Sequence, residues 1–130
     1  MSADPSRLRF YVDESLVGLG KVLELARRDV IHVNHPLIEE QIPFGTLDPD
    51  WIPVVASRGL IAITHDKRLR TRPGERELVL ASGLRIVRIE NKNDLSTWSL
   101  LDLLVRRWDR MEEEISAAGE GPCFMEIAAG

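Results

Sequence analysis

Short apolar, β-prone runs alternate along this chain with stretches whose apolar residues recur every three or four positions, and few folds accommodate that order. The clearest run is Leu60-Ile61-Ala62-Ile63-Thr64. It has no polar alternation, so both its faces need cover, the signature of a buried parallel strand. Residues 8–12, 29–33 and 84–89 read as further strands, and residues 123–127 as a last, edge strand. Between them, Leu16, Leu19, Val22, Leu23 and Ala26 keep helical spacing, with Ser15 as the cap. Asp48-Pro49-Asp50-Trp51 has the acid, proline and second acid of a helix start, and that helix should run to Arg58 with Gly59 closing it. Residues 36–47 read as loop, Pro73-Gly74 as a turn, and residues 75–81 as a short helix stopped by Ser82-Gly83. Leu101, Leu104, Trp108, Met111 and Ile115 form the stripe of a long amphipathic helix beginning near Ser96. This order predicts a mostly parallel sheet of four to five strands, covered by helices on both faces.

The 130 residues suit one domain, expected over residues 1–130, with no repeat or linker to mark a second. A composition of 44% hydrophobic and 29% charged residues excludes a disordered chain. The one cysteine, Cys123, cannot form an internal disulfide and lies in an apolar context, so a reducing cytoplasm is the expected setting and a buried thiol its expected role. The first residues lack a signal-peptide core, and no stretch approaches the roughly 20 apolar residues of a membrane span. A net charge of -4 argues against indiscriminate nucleic-acid binding. Local distribution points the other way: Lys67, Arg68, Arg70, Arg72 and Arg76 fall within ten positions that contain one acid, Glu75. Such a run is ordinarily a solvated face, but its place directly after Asp66 gives phosphate handling equal weight.

In open α/β sheets, ligands bind beyond the carboxyl ends of the strands. Asp13 ends the first strand, Asp66 ends the third, and Asp48 opens the helix leading into the third; Glu14 adjoins Asp13. Singly, each acid has a simple structural use as a helix cap or a turn residue. Gathered at one rim they would repel one another and raise each other's pKa, a conflict that a divalent cation resolves. Carboxylates without thiolates suit Mg²⁺ or Mn²⁺, and such a site favours phosphodiester hydrolysis. His32 and His35, with Glu39 and Glu40 downstream, form a competing set, but a strand residue and a loop residue need not converge and no second His or Cys pair completes a zinc site.

Taken together, residues 10–16 (Phe-Tyr-Val-Asp-Glu-Ser-Leu), residues 48–51 (Asp-Pro-Asp-Trp) and residues 61–69 (Ile-Ala-Ile-Thr-His-Asp-Lys-Arg-Leu) resemble the PIN-like proteins grouped with the toxin half of VapBC-type toxin-antitoxin pairs. The resemblance implies a three-layer α/β/α sandwich, an acidic pocket holding Mg²⁺ or Mn²⁺, and RNA cleavage. By position it makes Asp13 and Asp66 direct metal ligands, Asp48 a direct or water-mediated one, and Glu14 a supporting acid. The fourth acid is open among Glu14, Asp50 and Asp94, and Asp50 can stand in for Asp48. Thr64 is placed to orient Asp66 through its hydroxyl, and Lys67, Arg68, Arg70 and Arg72 to guide the RNA backbone. An antitoxin would cover the pocket, with an arginine among the carboxylates, and the long helix could pair in a homodimer.

Two other classes fit parts of the pattern. A receiver-like signalling domain also sets acids at strand ends, but it wants lysine after the fifth strand, and Lys92 follows the fourth. A non-catalytic PIN-like interaction module would keep the fold and bind a partner without cutting anything.

Overall fold

A computed structural model describes residues 7–90 and 95–128. Five strands, β1 (Phe10–Val12), β2 (Val30–His32), β3 (Ile61–Thr64), β4 (Arg85–Ile89) and β5 (Cys123–Ile127), form one sheet in the order β2-β1-β3-β4-β5. Every pairing is parallel, with Phe10 opposite both Val30 and Ile61, and Ile61 opposite Arg85. The helices are α1 (Val17–Ala26), α2 (Asp48–Ser57), α3 (Arg68–Thr71), α4 (Pro73–Ser82) and α5 (Thr97–Ala118), with a 3₁₀ turn at Glu14–Leu16 before α1.

Side chains alternate across each strand, so the sheet feeds two separate cores. Phe10 and Val12 of β1, with Ile61 and Ile63 of β3, join Leu19 and Leu23 of α1 and Leu104, Trp108, Met111 and Ile115 of α5. Tyr11 and Ala62 face the other way, among Trp51, Ile52 and Val55 of α2, Leu69 of α3 and Val79 of α4. The result is a three-layer α/β/α sandwich. The stripe of α5 is spent on this core, and Leu100 rather than Leu101 is its buried first member. No helix among the described residues is long and apolar enough to cross a membrane.

Several local expectations are corrected. Asp13, not Ser15, caps the first helical turn, accepting the Ser15 N–H. Asp48 is the first residue of α2 and not its cap; Leu47 holds that position without a side-chain bond, and the Asp48 carboxylate instead accepts the Trp51 indole N–H at 2.8 Å. Pro73 opens α4 and makes no turn, because a missing N–H costs nothing in a helix's first turn. Residues 36–47 form turns that bury Ile38 and Ile42 fully, so this loop belongs to the core. Gly20 is required by packing: a Cβ there would lie 2.6 Å from the His32 Cβ and 3.2 Å from the Val12 Cβ, so α1 can approach β1 and β2 only without one.

Candidate active site

Strand order reverses between β1 and β3: the chain winds out to β2 on one side of β1 and to β4 and β5 on the other side of β3. At such a switch point the loops leaving the two central strands diverge and leave a crevice at their carboxyl ends. Asp13 follows β1 there, and Thr64, His65 and Asp66 end and follow β3.

Asp13 is 5% exposed, and neutral donors surround it. Its carboxylate accepts the Ser15 N–H at 3.1 Å, the Ser15 hydroxyl, and the Thr64 hydroxyl at 2.7 Å. Burial pushes its pKa up to about 6; the hydrogen bonds from Ser15 and Thr64 oppose that rise, and the charge of Asp48 adds to it. The fully buried Tyr11 feels the same environment: burial raises its phenol, as do the charges of Asp13, Glu14 and Asp48. Three of the expected acids thus share one electrostatic neighbourhood.

Thr64 ties this group to Asp66. While its hydroxyl donates to Asp13, the same oxygen accepts the Asp66 N–H at 3.0 Å. The His65 N–H donates to the Ser15 hydroxyl at 3.0 Å. Thr64 therefore orients the Asp66 backbone and the Asp13 side chain together, a wider role than its sequence position implied. The Asp66 carboxylate itself is gripped by Arg68, whose Nε lies 2.9 and 3.1 Å from its two oxygens and whose Nη2 lies 2.8 Å from one; the Arg68 N–H adds a bond at 2.9 Å. Burial pulls the Asp66 carboxyl upward, but the bonds and charge of Arg68 outweigh it and hold it below the usual range.

Glu14 is exposed and accepts the Gly45 N–H at 2.6 Å, which pins the 36–47 loop to the start of the site. Asp50 is exposed on the first turn of α2. Asp94 and Lys92 lie outside the described residues. His32 is buried against Glu24, and His35 accepts the Leu37 N–H, so the two imidazoles serve different local structures.

A cavity of about 470 Å³ opens beside Asp66, lined by Ser15, His65, Lys67, Arg68, Arg88 and Glu90. Of the four cations expected to guide RNA, Lys67 and Arg68 line it. Arg70 and Arg72 pair elsewhere, with Glu126 at 3.0 Å and Glu75 at 3.4 Å. Arg88 was missed. It is held by the His65 carbonyl at 3.2 Å and lies 3.6 Å from the Glu126 carboxylate that also pairs with Arg70, and its only signal was a cation near the carboxyl end of a strand.

A divalent ion is suited to these acids by donor chemistry, since all are hard oxygens. Their placement does not fit one. Among the described residues no three His, Cys, Asp or Glu side chains come together as a metal-holding group. Asp48 is turned to Trp51, and the oxygens of Asp66 are taken by Arg68.

The sheet order is common to other doubly wound proteins and does not by itself name a family. The chain matches the family described as PIN-like domain over residues 8–91, which takes in β1 through β4 together with Asp13, Glu14, Asp48, Asp50 and Asp66. The chain belongs to the PIN-like family. No curated protein and no solved structure matches it. PIN-like domains are often nucleases and generally use divalent metals.

Proposed function

We propose that this PIN-like protein is a ribonuclease that hydrolyses RNA phosphodiester bonds at the β1/β3 crevice, with Mg²⁺ or Mn²⁺ as its cofactor. The finer reading is a cytoplasmic toxin of a VapBC-type pair, with a cognate antitoxin as partner. One observation carries the proposal: Asp66, linked to the buried Asp13 through the Thr64 hydroxyl, borders a cavity rimmed by Lys67, Arg68 and Arg88. Acids beside clustered cations suit a phosphodiester, because the cations bind its charge while the carboxylates stand next to its reacting edge. Arg88 and Lys67 would hold the backbone, and the buried Asp13 would give the site a fixed anionic floor. The cation requirement comes from the family resemblance.

The pairing of Asp66 with Arg68 also favours a second reading, an interaction module without catalysis. A receiver-like role has less support, since the residue after β5 is Ala128 where a receiver carries lysine. Incubating purified protein with labelled single-stranded RNA, structured RNA and DNA in Mg²⁺, Mn²⁺ or chelator separates these readings. RNA cutting that needs the ion supports the nuclease; intact RNA in every condition leaves the interaction module. Co-expression with the neighbouring gene product, followed by co-purification, tests the antitoxin.

A further inference from the structure

Phe44 stands half in solvent at the tip of a turn that fixes its position. We propose that this ring is a base-stacking platform at the rim of the crevice, on which a nucleobase of a single RNA strand lies while the strand's phosphates reach the cations around Lys67 and Arg88. The inference rests on the nuclease reading above for its choice of RNA, and it needs no bound ion.

The turn runs from Pro43 to Thr46, closed by the Thr46 N–H on the Pro43 carbonyl at 3.3 Å and by the Thr46 hydroxyl on the same oxygen at 2.6 Å. Gly45 takes a φ of 84°, the positive value that the third position of a type II turn demands. A Cβ there would meet nothing within 4 Å, so this glycine serves the backbone and not the packing. Phe44 holds the turn's second position. The Gly45 N–H, which the turn's own bond does not use, donates to the Glu14 carboxylate at 2.6 Å, and Glu14 is followed by Ser15 in the lining of the cavity. The turn is thus fastened to the edge of the crevice. The Phe44 ring meets the His32 imidazole edge-on, with centroids 6.5 Å apart, and His32 is itself braced by Glu24. Half of the ring, 50%, is left in water. It adds little to the core, and a fixed, flat apolar face is what a base stacks on, at small cost in side-chain freedom.

Sheet order sets the distance to the cations. His32 ends β2 and Arg88 lies on β4, three strand spacings away in the order β2-β1-β3-β4, which is about 14 Å. A few nucleotides of extended strand cover that span along the carboxyl edge, passing Asp13 and Asp66 after the two strands between. An apolar protein partner would also cover Phe44, but cations along the same edge favour a polyanion.

The test is fluorescence anisotropy of a labelled single-stranded RNA with the whole chain, in chelator and low salt. Phe44→Ala is expected to weaken binding roughly tenfold, and Phe44→Leu, apolar but not flat, nearly as much; Phe44→Tyr should stay within about twofold of wild type. A matched RNA made of abasic nucleotides should bind wild type and Phe44→Ala alike, which a merely structural role of the ring would not produce. Circular dichroism checks that each variant is folded. Equal binding by wild type and Phe44→Ala, or by wild type and Phe44→Leu, overturns the proposal. Undetectable RNA binding by wild type also overturns it and leaves Phe44 to a protein partner. Cleavage by the same samples in Mg²⁺ and Mn²⁺ keeps the two ideas apart: Phe44-dependent binding without any cutting supports the platform and sinks the nuclease, and cutting with Phe44→Ala binding as tightly as wild type does the reverse.

Discussion

Asp13 carries a charge in a place that disfavours charge. Its folded pKa, about 6, lies above the ordinary 3.8, so the folded protein binds this proton more tightly than the unfolded chain does. The stability Asp13 contributes is therefore fully present below about pH 3.8 and is lost as pH rises through 6; a two-unit shift corresponds to at most about 3 kcal/mol. Asp29 and Asp66 are shifted downward and act at lower pH, outside that window. Asp13→Asn is accordingly expected to stabilise the metal-free protein by about 1–2 kcal/mol at pH 7.5, with the advantage shrinking towards pH 5; urea unfolding of both proteins across that range checks it. A variant no more stable than wild type at pH 7.5 would contradict the burial argument. Thr64→Val tests the other half of the pair. It keeps the shape of a fully buried side chain but strips a donor from Asp13 and an acceptor from the Asp66 N–H, and should cost about 1–3 kcal/mol in the same assay.

At the level of elements, the sheet and helices were legible wherever a periodic apolar pattern ran into a stop signal. Residues 60–64 had no polar alternation and became the central β3; Ser96 caps α5, accepting the Ser99 N–H as its sequence position implied. Errors fell where a side-chain partner or burial overrode the usual local signal. Asp48 looks like a cap but accepts the indole N–H of Trp51 one turn along the same helix, and residues 36–47 lack any period because Ile38 and Ile42 reach the core from turns. Gly20 gave no sequence signal, since its need lies in the close approach of α1 to His32 and Val12. Gly20→Ala should therefore destabilise by about 1–3 kcal/mol, measured by chemical unfolding. Gly18→Ala is the contrast: its Cβ would meet only the Thr97 side-chain oxygen at 2.7 Å, a group that can rotate away, so its cost should be clearly smaller. Equal losses for the two would mean that the backbone approach at Gly20 is not the controlling contact.

For the whole molecule, topology makes the site. Two short parallel strands, separated in sequence by some fifty residues, deliver Asp13, Thr64 and Asp66 to one crevice because β1 and β3 are neighbours at the reversal of strand order. That the acids would lie on one edge was readable from strand ends alone. Which partner each would take was not: Arg68 was one cation in a run of five, and nothing in the run singled it out to grip Asp66 while Arg70 and Arg72 turned to Glu126 and Glu75. Arg88 joins the cavity from β4, across a pairing that sequence order does not reveal. The most direct trial of the crevice as a nuclease site is to cut a mixed RNA pool with wild type, Asp13→Asn and Asp66→Asn, each confirmed folded, in Mg²⁺, Mn²⁺ and chelator. Ion-dependent cutting by wild type, reduced at least about a hundredfold in both variants, is the expected result. Cutting that persists in both variants, or in chelator, would place the activity elsewhere and contradict it.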